Sequence, residues 1–375
     1  MRIGIDCRYI LDYKHGERAG IGHYVYYLIK YLLSLDNENE YYLFFYNRQI
    51  QCDEFAVNKK VKCVYFPGLE NLSKLPFFYR HVFIPHVLRL YRLDIYHNPA
   101  FVIPLFYFHQ SVVTVHDLAS YKNPKWFPGG NWFGRHILIP WSLYKAKKII
   151  AVSENTKNDL VDIFKIKKEK IEVILEGVED YNNYQINEGA VNQKCKIDNP
   201  FFLYLGTLEP RKNLVNLVAA FADFIKAKPE FRLVLAGKKG WKYQPIFDKI
   251  KELNLEDKVI YLGYVNHDEK IYLLKKAFAF VFPSYYEGFG LPILEAMNLG
   301  LPIITSNVSS IPEIVIDNAL LIKTDDYKSI TQAMLKLADD DNLRSELARK
   351  GKGIARNFTW ESCAQKTLNL YKSLK

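Results

Sequence analysis

The segment 282–297 combines two carboxylates with a glycine-rich turn, and its residue types are those of an anion-binding site. It reads F-P-S-Y-Y-E-G-F-G-L-P-I-L-E-A-M, so that Glu287 and Glu295 flank a Gly-Phe-Gly-Leu-Pro core. An apolar run ends at Phe282, and Pro292 falls in the first turn of a predicted helix, where proline is tolerated. Glycines let the backbone approach a ligand closely, and the start of a helix offers unpaired N–H groups. The pattern therefore favours a diphosphate site.

Three roles are predicted within this segment. Glu287 precedes the turn and can reach sugar hydroxyls. Glu295, about one turn into the helix, can accept both hydroxyls of a ribose, because a carboxylate has two acceptor oxygens. The diphosphate is assigned to the turn itself, namely Gly288, Phe289, Gly290 and Leu291. The alternative is a loop that caps a helix with solvated carboxylates; Gly-Phe-Gly alone favours that alternative, and the full pattern favours the site.

A second loop, G-T-L-E-P-R-K-N at 206–213, places two adjacent cations after a predicted strand. Arg211 and Lys212 beside a helix start are suited to phosphate, and Gly206 lets the chain turn towards it. A solvated basic turn explains this loop equally well when it is considered alone.

His116 and Asp117 follow a third apolar run, in V-T-V-H-D-L at 113–118. A lone histidine is usually satisfied by backbone groups at the edge of a core, but a position at the end of a strand favours a site. His97 is a similar candidate. Gly22 lies in a short glycine loop, G-I-G-H, after the first strand, which by itself is weak evidence for a site, and no GxGxxG pattern supports a dinucleotide dehydrogenase.

Short apolar runs alternate with helical patterns in both halves of the chain, which predicts two doubly wound parallel sheets, each covered on both faces. The predicted strands are 2–6, 42–46, 61–66, 111–115, 148–152, 171–175, 201–205, 231–236, 258–262, 277–282 and 302–305. Residues 179–199 are polar, rich in asparagine and without period, and they predict a linker. Helices are predicted to fill 325–373. Ligands bind beyond the carboxyl ends of such strands, where all the motifs fall.

The composition is that of a globular protein with an excess of positive charge. The 375 residues carry a formal charge of +10 and suggest two domains. A surface that meets phosphates or anionic lipid explains this charge better than nucleic-acid binding, since no nucleic-acid-binding signature is present. Five scattered cysteines without a CxxC pair predict no zinc site and favour a cytoplasmic protein. No signal peptide or membrane-spanning run is predicted.

Aromatic and basic residues alternate through 65–144, notably in F-F-Y-R-H at 77–81 and K-W-F-P at 125–128. These residues could be ordinary core and rim, or they could rest on a membrane surface. The sequence leaves both alternatives open.

Taken together, the motifs resemble those of the retaining glycosyltransferases of family 4, over nearly the whole chain. Segment 287–295 resembles the family's E-x7-E signature, which implies that Glu287 contacts the donor sugar and Glu295 the ribose. Lys212 matches the family's phosphate-binding lysine, and His116 its histidine near the reaction centre. The family commonly has arginine where Thr207 stands, so Arg211 replaces that cation or Lys212 acts alone.

The resemblance implies the GT-B fold, in which two Rossmann-like domains face each other across a cleft. The expected parts are an acceptor-side domain at 1–178, the linker at 179–199, a nucleotide-sugar domain at 200–357, and a helix at 358–375 that packs back on the first domain. It further implies transfer of a hexose with retention, with no metal and no other cofactor, and with Glu287, Lys212 and His116 as the catalytic groups.

The expected substrates are a nucleotide-sugar donor, with GDP-mannose favoured over a UDP-sugar, and a glycan or polyprenyl-linked saccharide acceptor. The implied setting is bacterial surface polysaccharide or lipopolysaccharide synthesis, in the cytoplasm or at the inner face of its membrane. Two alternatives stay open: a nucleotide-sugar epimerase or dehydrogenase, and a non-catalytic partner subunit of the same fold.

Overall fold

The computed structural model describes residues 1–8, 10, 20–46, 53–56, 58–66, 76–129, 132–182, 184–186 and 197–375. The chain divides into two compact units. Unit 1 consists of Met1–Leu118, Gly129–Gly177 and Thr359–Lys375, and unit 2 of Ala119–Pro128 and Val178–Phe358. The predicted domains at 1–178 and 200–357 are divided differently from these units, since 119–128 and the predicted linker at 179–199 both group with unit 2.

Unit 1 is built on a parallel sheet. Over its described residues the sheet has seven strands in the order β3-β2-β1-β4-β5-β6-β7. They are β1 Arg2–Asp6, β2 Glu40–Phe45, β3 Val61–Tyr65, β4 Ile95–Asn98, β5 Ser111–Val115, β6 Lys148–Ala151 and β7 Ile171–Val173. Strand β1 lies between β2 and β4, with Ile5 opposite Leu43 on one side and His97 on the other. Its apolar residues are fully buried, as expected for a strand covered on both faces.

The helices of unit 1 cover this sheet. They are α1 Ile21–Leu35, α2 Asp53–Ala56, α3 Pro76–Phe78, α4 Ile84–Leu90, α6 Ile139–Lys145, α7 Glu154–Phe164 and, at the end of the chain, α15 Trp360–Lys372. Helix α15 packs against α1, where the ring of Trp360 stacks on Tyr27 with centroids 5.4 Å apart. The last helix therefore completes the unit in which the chain begins.

Unit 2 repeats the same plan. In its described part six parallel strands lie in the order β10-β9-β8-β11-β12-β13. They are β8 Phe201–Leu205, β9 Arg232–Ala236, β10 Val259–Gly263, β11 Ala279–Phe282, β12 Ile303–Ser306 and β13 Leu320–Ile322. Its helices are α5 Ala119–Lys122, α8 Leu214–Phe224, α9 Gln244–Glu252, α10 His267–Lys276, α11 Leu291–Asn298, α12 Ile311–Val315, α13 Tyr327–Asp339 and α14 Asp341–Ala355.

The predicted fold of two doubly wound parallel sheets is confirmed. In each sheet the strand order reverses once, between β1 and β4 and between β8 and β11, and such reversals are where ligands bind in this class of fold. The predicted strands omitted β4 and β13, which have only four and three residues. No helix within the described ranges is both long and apolar enough to cross a bilayer.

Candidate active site

The centre of the unit 2 site is a buried carboxylate held between two cations. Glu287 Oε1 accepts a hydrogen bond from Lys212 Nζ at 2.6 Å, and its Oε2 accepts one from Arg211 Nη1 at 3.0 Å. Arg211 also contacts Glu209 at 3.0 Å. Lys212 follows strand β8 and Glu287 follows β11, so the pair meets at the point where the strand order reverses. The two motifs that the sequence singled out therefore form one cluster.

Burial and charge act in opposite directions on this cluster. Burial raises the pKa of Glu287, but Arg211 and Lys212 outweigh that effect and hold its pKa below the ordinary value. Burial, reinforced by Arg211, lowers the pKa of Lys212, and Glu287 only partly opposes the shift. The Lys212 ammonium also lies 4.9 Å from the centroid of the Phe282 ring, which favours its charged form. The carboxylates of Glu209 and Glu287 face Arg211 and Lys212, so the cluster pairs two cations with two anions.

Serine hydroxyls fix the backbone of the glycine-rich turn. Ser310 Oγ donates to the carbonyl oxygens of Glu287 and Phe289, at 3.0 and 2.8 Å, and Ser309 Oγ accepts from the Glu287 amide at 2.8 Å. Arg211 adds a bond from Nη1 to the Tyr286 carbonyl at 2.8 Å. The turn is therefore held by Arg211, which the sequence predicted for the site, and by Ser309 and Ser310, which it did not.

The turn leads directly into helix α11. Gly290 occupies the residue before the helix with φ 118°, a conformation that favours glycine. Gly288 and Phe289 are buried, and the Phe289 ring packs against Phe358 at 6.2 Å. Leu291, the first helical residue, is partly exposed and begins the first turn of α11, the part of a helix that can bind an anion through its N–H groups.

Glu295 lies further along α11 and is also paired. Its Oε1 accepts hydrogen bonds from Tyr181 Oη at 3.2 Å and from Lys270 Nζ at 2.5 Å. Tyr181 belongs to the segment predicted to be a polar linker, yet it is 1% exposed and packs within unit 2. A ribose at Glu295 would share the carboxylate with these two donors.

The Gly206 loop is shaped by a close approach between backbones. Gly237, which follows β9, has φ 150°, and a Cβ there would lie 1.9 Å from the Gly206 carbonyl oxygen. The side chain of Thr207 is exposed, and its Cγ2 would lie 2.7 Å from a Cβ at Gly240. Because threonine carries no charge, the second cation beside Glu287 is Arg211.

In unit 1, His116 is engaged at both ring nitrogens. Nε2 lies 2.8 Å from the Pro99 carbonyl oxygen, and Nδ1 lies 3.1 Å from Glu176 Oε1. Because a carbonyl can only accept, Nε2 carries a hydrogen, and the contact with Glu176 requires one further proton on the imidazole or on the carboxyl group. The sequence prediction missed Glu176, which lies 60 residues further along the chain.

The other unit 1 candidates have different surroundings. Asp117 is partly exposed, directly after His116, and Gly22 is buried in the first turn of α1. His97 is fully buried and bonded to Tyr371 Oη at 2.6 Å and Thr114 Oγ1 at 2.8 Å. Burial, with a smaller contribution from His116, lowers the pKa of His97 to about 3, so His97 is a neutral core residue.

Within the described residues, no three His, Cys, Asp or Glu side chains lie close enough together to form a metal-ion site. The unit 2 cluster offers two adjacent cations, Arg211 and Lys212, that are held in place by the Glu287 carboxylate. The cluster suits the binding of a diphosphate and the stabilisation of a departing one.

Two family models and a curated relative match the sequence. Residues 190–353 match the family described as Glycosyl transferases group 1, and residues 18–180 match Glycosyltransferase Family 4. An Escherichia coli protein named O-antigen chain mannosyltransferase B is 34% identical over 291 residues, which is 76% of each chain.

Solved structures show the same fold across the whole chain. A sucrose-phosphate synthase from Thermosynechococcus elongatus superposes with a TM-score of 0.77 at 21% identity, over 100% of this chain and 99% of that one. Anabaena HepE, in complex with UDP and glucose, superposes with a TM-score of 0.73 at 18% identity, over 100% of both chains. The chain therefore has the GT-B fold and belongs to the group 1 glycosyltransferases.

Proposed function

We propose that this glycosyltransferase transfers mannose from GDP-mannose to a glycan or polyprenyl-linked saccharide, with retention of the anomeric configuration, in bacterial surface polysaccharide synthesis. The observation that carries the proposal is the buried cluster of Glu287, Lys212 and Arg211 at the strand-order reversal of unit 2. The choice of mannose is supported by the printed name of the E. coli relative.

In this proposal the two cations stabilise the leaving diphosphate. As the bond between the sugar C1 and the diphosphate oxygen breaks, the acceptor hydroxyl oxygen bonds C1 and gives its proton to the departing diphosphate. Negative charge grows on the diphosphate during this step, next to Lys212 and the first turn of α11. Arg211, fixed by Glu209 and Glu287, keeps a second positive charge in place. We propose that these cations perform the role that a divalent ion performs in other transferases.

Two carboxylates position the donor. Glu287 orients the sugar hydroxyls, and Glu295 accepts the ribose hydroxyls while its Oε1 keeps the bonds to Tyr181 and Lys270. Both carboxylates are at least nine-tenths buried, so each is held in a fixed direction before the substrate arrives. We assign no covalent nucleophile. His116, with Asp117 beside it and Gly22 on α1, is proposed to act from unit 1.

The test combines donor binding with transfer. Thermal-shift measurements against a panel of GDP- and UDP-sugars should give the largest stabilisation with GDP-mannose, and NMR of the product should show the donor's anomeric configuration. Lys212→Ala should abolish transfer while the far-UV circular dichroism spectrum stays unchanged. Full activity of this variant would overturn the site assignment, and an inverted product would overturn retention.

A UDP-sugar is the second candidate donor, because the matched Anabaena protein was solved with UDP and glucose. The same thermal-shift panel separates the two donors. Binding without turnover of any donor would instead indicate a non-catalytic partner subunit.

A further inference from the structure

Two segments of unit 1 repeat each other in sequence. Residues 77–88 read F-F-Y-R-H-V-F-I-P-H-V-L and residues 132–143 read W-F-G-R-H-I-L-I-P-W-S-L. They are identical at six of twelve aligned positions, and the first position is aromatic in both. The shared pattern is aromatic-Phe-x-Arg-His-x-x-Ile-Pro-x-x-Leu.

The two segments also share an uncommon backbone. Each contains a π-helical turn, Tyr79–Phe83 in one and Gly134–Leu138 in the other, followed by an α-helix with proline as its second residue. The amide of Ile84 bonds the Tyr79 carbonyl, and the amide of Ile139 bonds the Gly134 carbonyl, five residues back in both cases. Proline has no N–H and its ring crowds the carbonyl four residues before it, so a widened turn relieves the clash.

Core packing explains only the inward half of the repeat. Ile84, Leu88 and Leu143 are fully buried against the sheet. Segment 77–88 connects β3 to β4 and segment 132–143 connects β5 to β6. Right-handed crossovers place both on the same face of the sheet, with their first residues at its carboxyl edge.

The outward half of the repeat is exposed. Phe77, Phe78, Trp132 and Phe133, which we call the aromatic tips, are 48%, 49%, 62% and 42% exposed. The two segments touch at these residues, since the rings of Phe77 and Phe133 lie 5.9 Å apart. In each segment one of these rings also packs on a histidine of the same segment. The ring centroids of Phe77 and His81 are 4.9 Å apart, and those of Trp132 and His136 are 4.8 Å apart. Exposed aromatic clusters of this kind mark interaction surfaces.

The cations next to the aromatic tips are Arg80 and Arg135, one in each π-helical turn. Residues 76–92 and 132–148 contain no Asp or Glu. The other cations of these segments, Arg89, Arg92, Lys145, Lys147 and Lys148, come just before β4 and β6 or at the start of β6, towards the opposite edge of the sheet. Aromatic rings at the level of lipid headgroups, framed by Arg and Lys, are typical of proteins that lie on a membrane, and anionic headgroups attract such a surface.

We propose that the aromatic tips form a docking surface for an anionic lipid bilayer, with the rings entering the headgroup region and Arg80 contacting lipid phosphates. This surface lies at the carboxyl edge of the unit 1 sheet, the edge that carries His116 and Gly22. The inference concerns unit 1 alone and does not depend on the identity of the donor.

The full-length protein should bind vesicles of phosphatidylcholine containing phosphatidylglycerol more tightly than vesicles of phosphatidylcholine alone, as measured by co-sedimentation. The double variant Phe78→Ala/Trp132→Ala should lower the partition coefficient by roughly tenfold or more, because two large apolar groups no longer leave water. Arg80→Gln should weaken binding to the anionic vesicles and leave the weaker binding to neutral ones unchanged.

The matched control is Leu321→Ala, since Leu321 is 45% exposed but lies on β13 of unit 2. Its partition coefficient should equal that of the wild type. Equal binding by the double variant and the wild type, or no wild-type binding to anionic vesicles, would overturn the proposal. So would a raised KM for a lipid-linked acceptor with unchanged vesicle binding, because the tips would then hold the acceptor chain. Loss of vesicle binding with intact sugar transfer would support this surface whatever the outcome for the donor.

Discussion

Glu287 performs two tasks at the level of single residues, because the carboxylate proposed to bind the donor sugar also balances two cations. Removing one member of a buried ion cluster leaves uncompensated charge, which costs more than the cluster contributes when intact. Lys212 and Arg211 are 10% and 12% exposed at their side chains, so water compensates little. Donor affinity and stability are therefore coupled through this residue.

The first prediction is that Glu287→Gln lowers the free energy of unfolding by about 2–3 kcal/mol, because a neutral amide faces two cations. A nucleoside diphosphate, as a new anion, should then stabilise the variant more than it stabilises the wild type. Urea denaturation with and without GDP measures both effects. Glu346→Gln, in an exposed pair with Lys350, is the control and should leave the denaturation midpoint unchanged. A variant as stable as the wild type would contradict the coupling.

The second prediction concerns the loss of donor affinity at alkaline pH. Because the pKa of Lys212 is lowered by burial and by Arg211, Lys212 loses its proton below the ordinary lysine pKa of about 10.4. Affinity for the diphosphate should fall as the pH rises through that lowered pKa. Isothermal titration of GDP across pH 7 to 10, roughly the range below that ordinary value, measures the effect. Lys212→Arg should retain affinity to higher pH, since arginine stays protonated. If the affinity of both proteins fell over the same pH range, Lys212 would be excluded as the titrating group.

At the level of elements, the glycine-rich turn depends on the segment that follows β12. Ser310 is fully buried and bonds two carbonyl oxygens of the turn. Losing the hydroxyl leaves both carbonyls short of a donor inside the protein, where an unsatisfied polar group is costly. The backbone N–H groups at the start of α11 then lose their fixed direction.

The third prediction is that Ser310→Ala destabilises unit 2 by about 1–3 kcal/mol and raises KM for the donor more than it lowers kcat. Steady-state kinetics and thermal denaturation test it together. Ser373→Ala, which removes an exposed hydroxyl that bonds the Leu370 carbonyl, is the control. An unchanged KM would show that the serine does not position the turn.

The elements were predictable where the pattern is local. Strands β1, β5 and β8 were predicted to the residue. Strand β8 is an unbroken apolar run, and β5 is rich in valine and ends just before His116 and Asp117. Strand β4 was missed because its four residues include His97 and Asn98, whose burial depends on partners far along the chain. The repeat of 77–88 at 132–143 is a sequence feature that direct self-comparison finds.

The site, like the elements, was predictable where the pattern is local. Lys212 and Glu287 were predicted as site residues because each follows a strand, and ligands bind beyond the carboxyl ends of parallel strands. Their direct contact does not follow from it, because 75 residues separate them. The partners Glu176, Lys270 and Tyr181 were also missed. Tyr181 is a single aromatic residue in an asparagine-rich segment, and only the fold reveals that it is buried.

At the level of the whole molecule, unit 1 is discontinuous in sequence. Its sheet is complete by residue 173, yet α15, which begins near the end of the chain, covers α1. Gly177 meets this helix so closely that a Cβ there would lie 2.1 Å from the Trp360 amide nitrogen. Trp360 is 1% exposed and contacts the rings of Tyr24 and Tyr27. Unit 1 therefore depends on residues that lie far from its sheet in the sequence.

The fourth prediction is that Trp360→Ala destabilises unit 1 by about 3–5 kcal/mol, the usual cost of deleting a large buried aromatic side chain. Because Trp360 packs within unit 1, hydrogen exchange should accelerate in β1–β7 and stay unchanged in β8–β13, as mass spectrometry of peptic fragments can measure. Lys366→Ala, on the exposed face of the same helix, should leave both sheets unchanged. Faster exchange in both sheets would mean that the two units unfold as one, and no change in β1–β7 would mean that α15 does not support the first sheet.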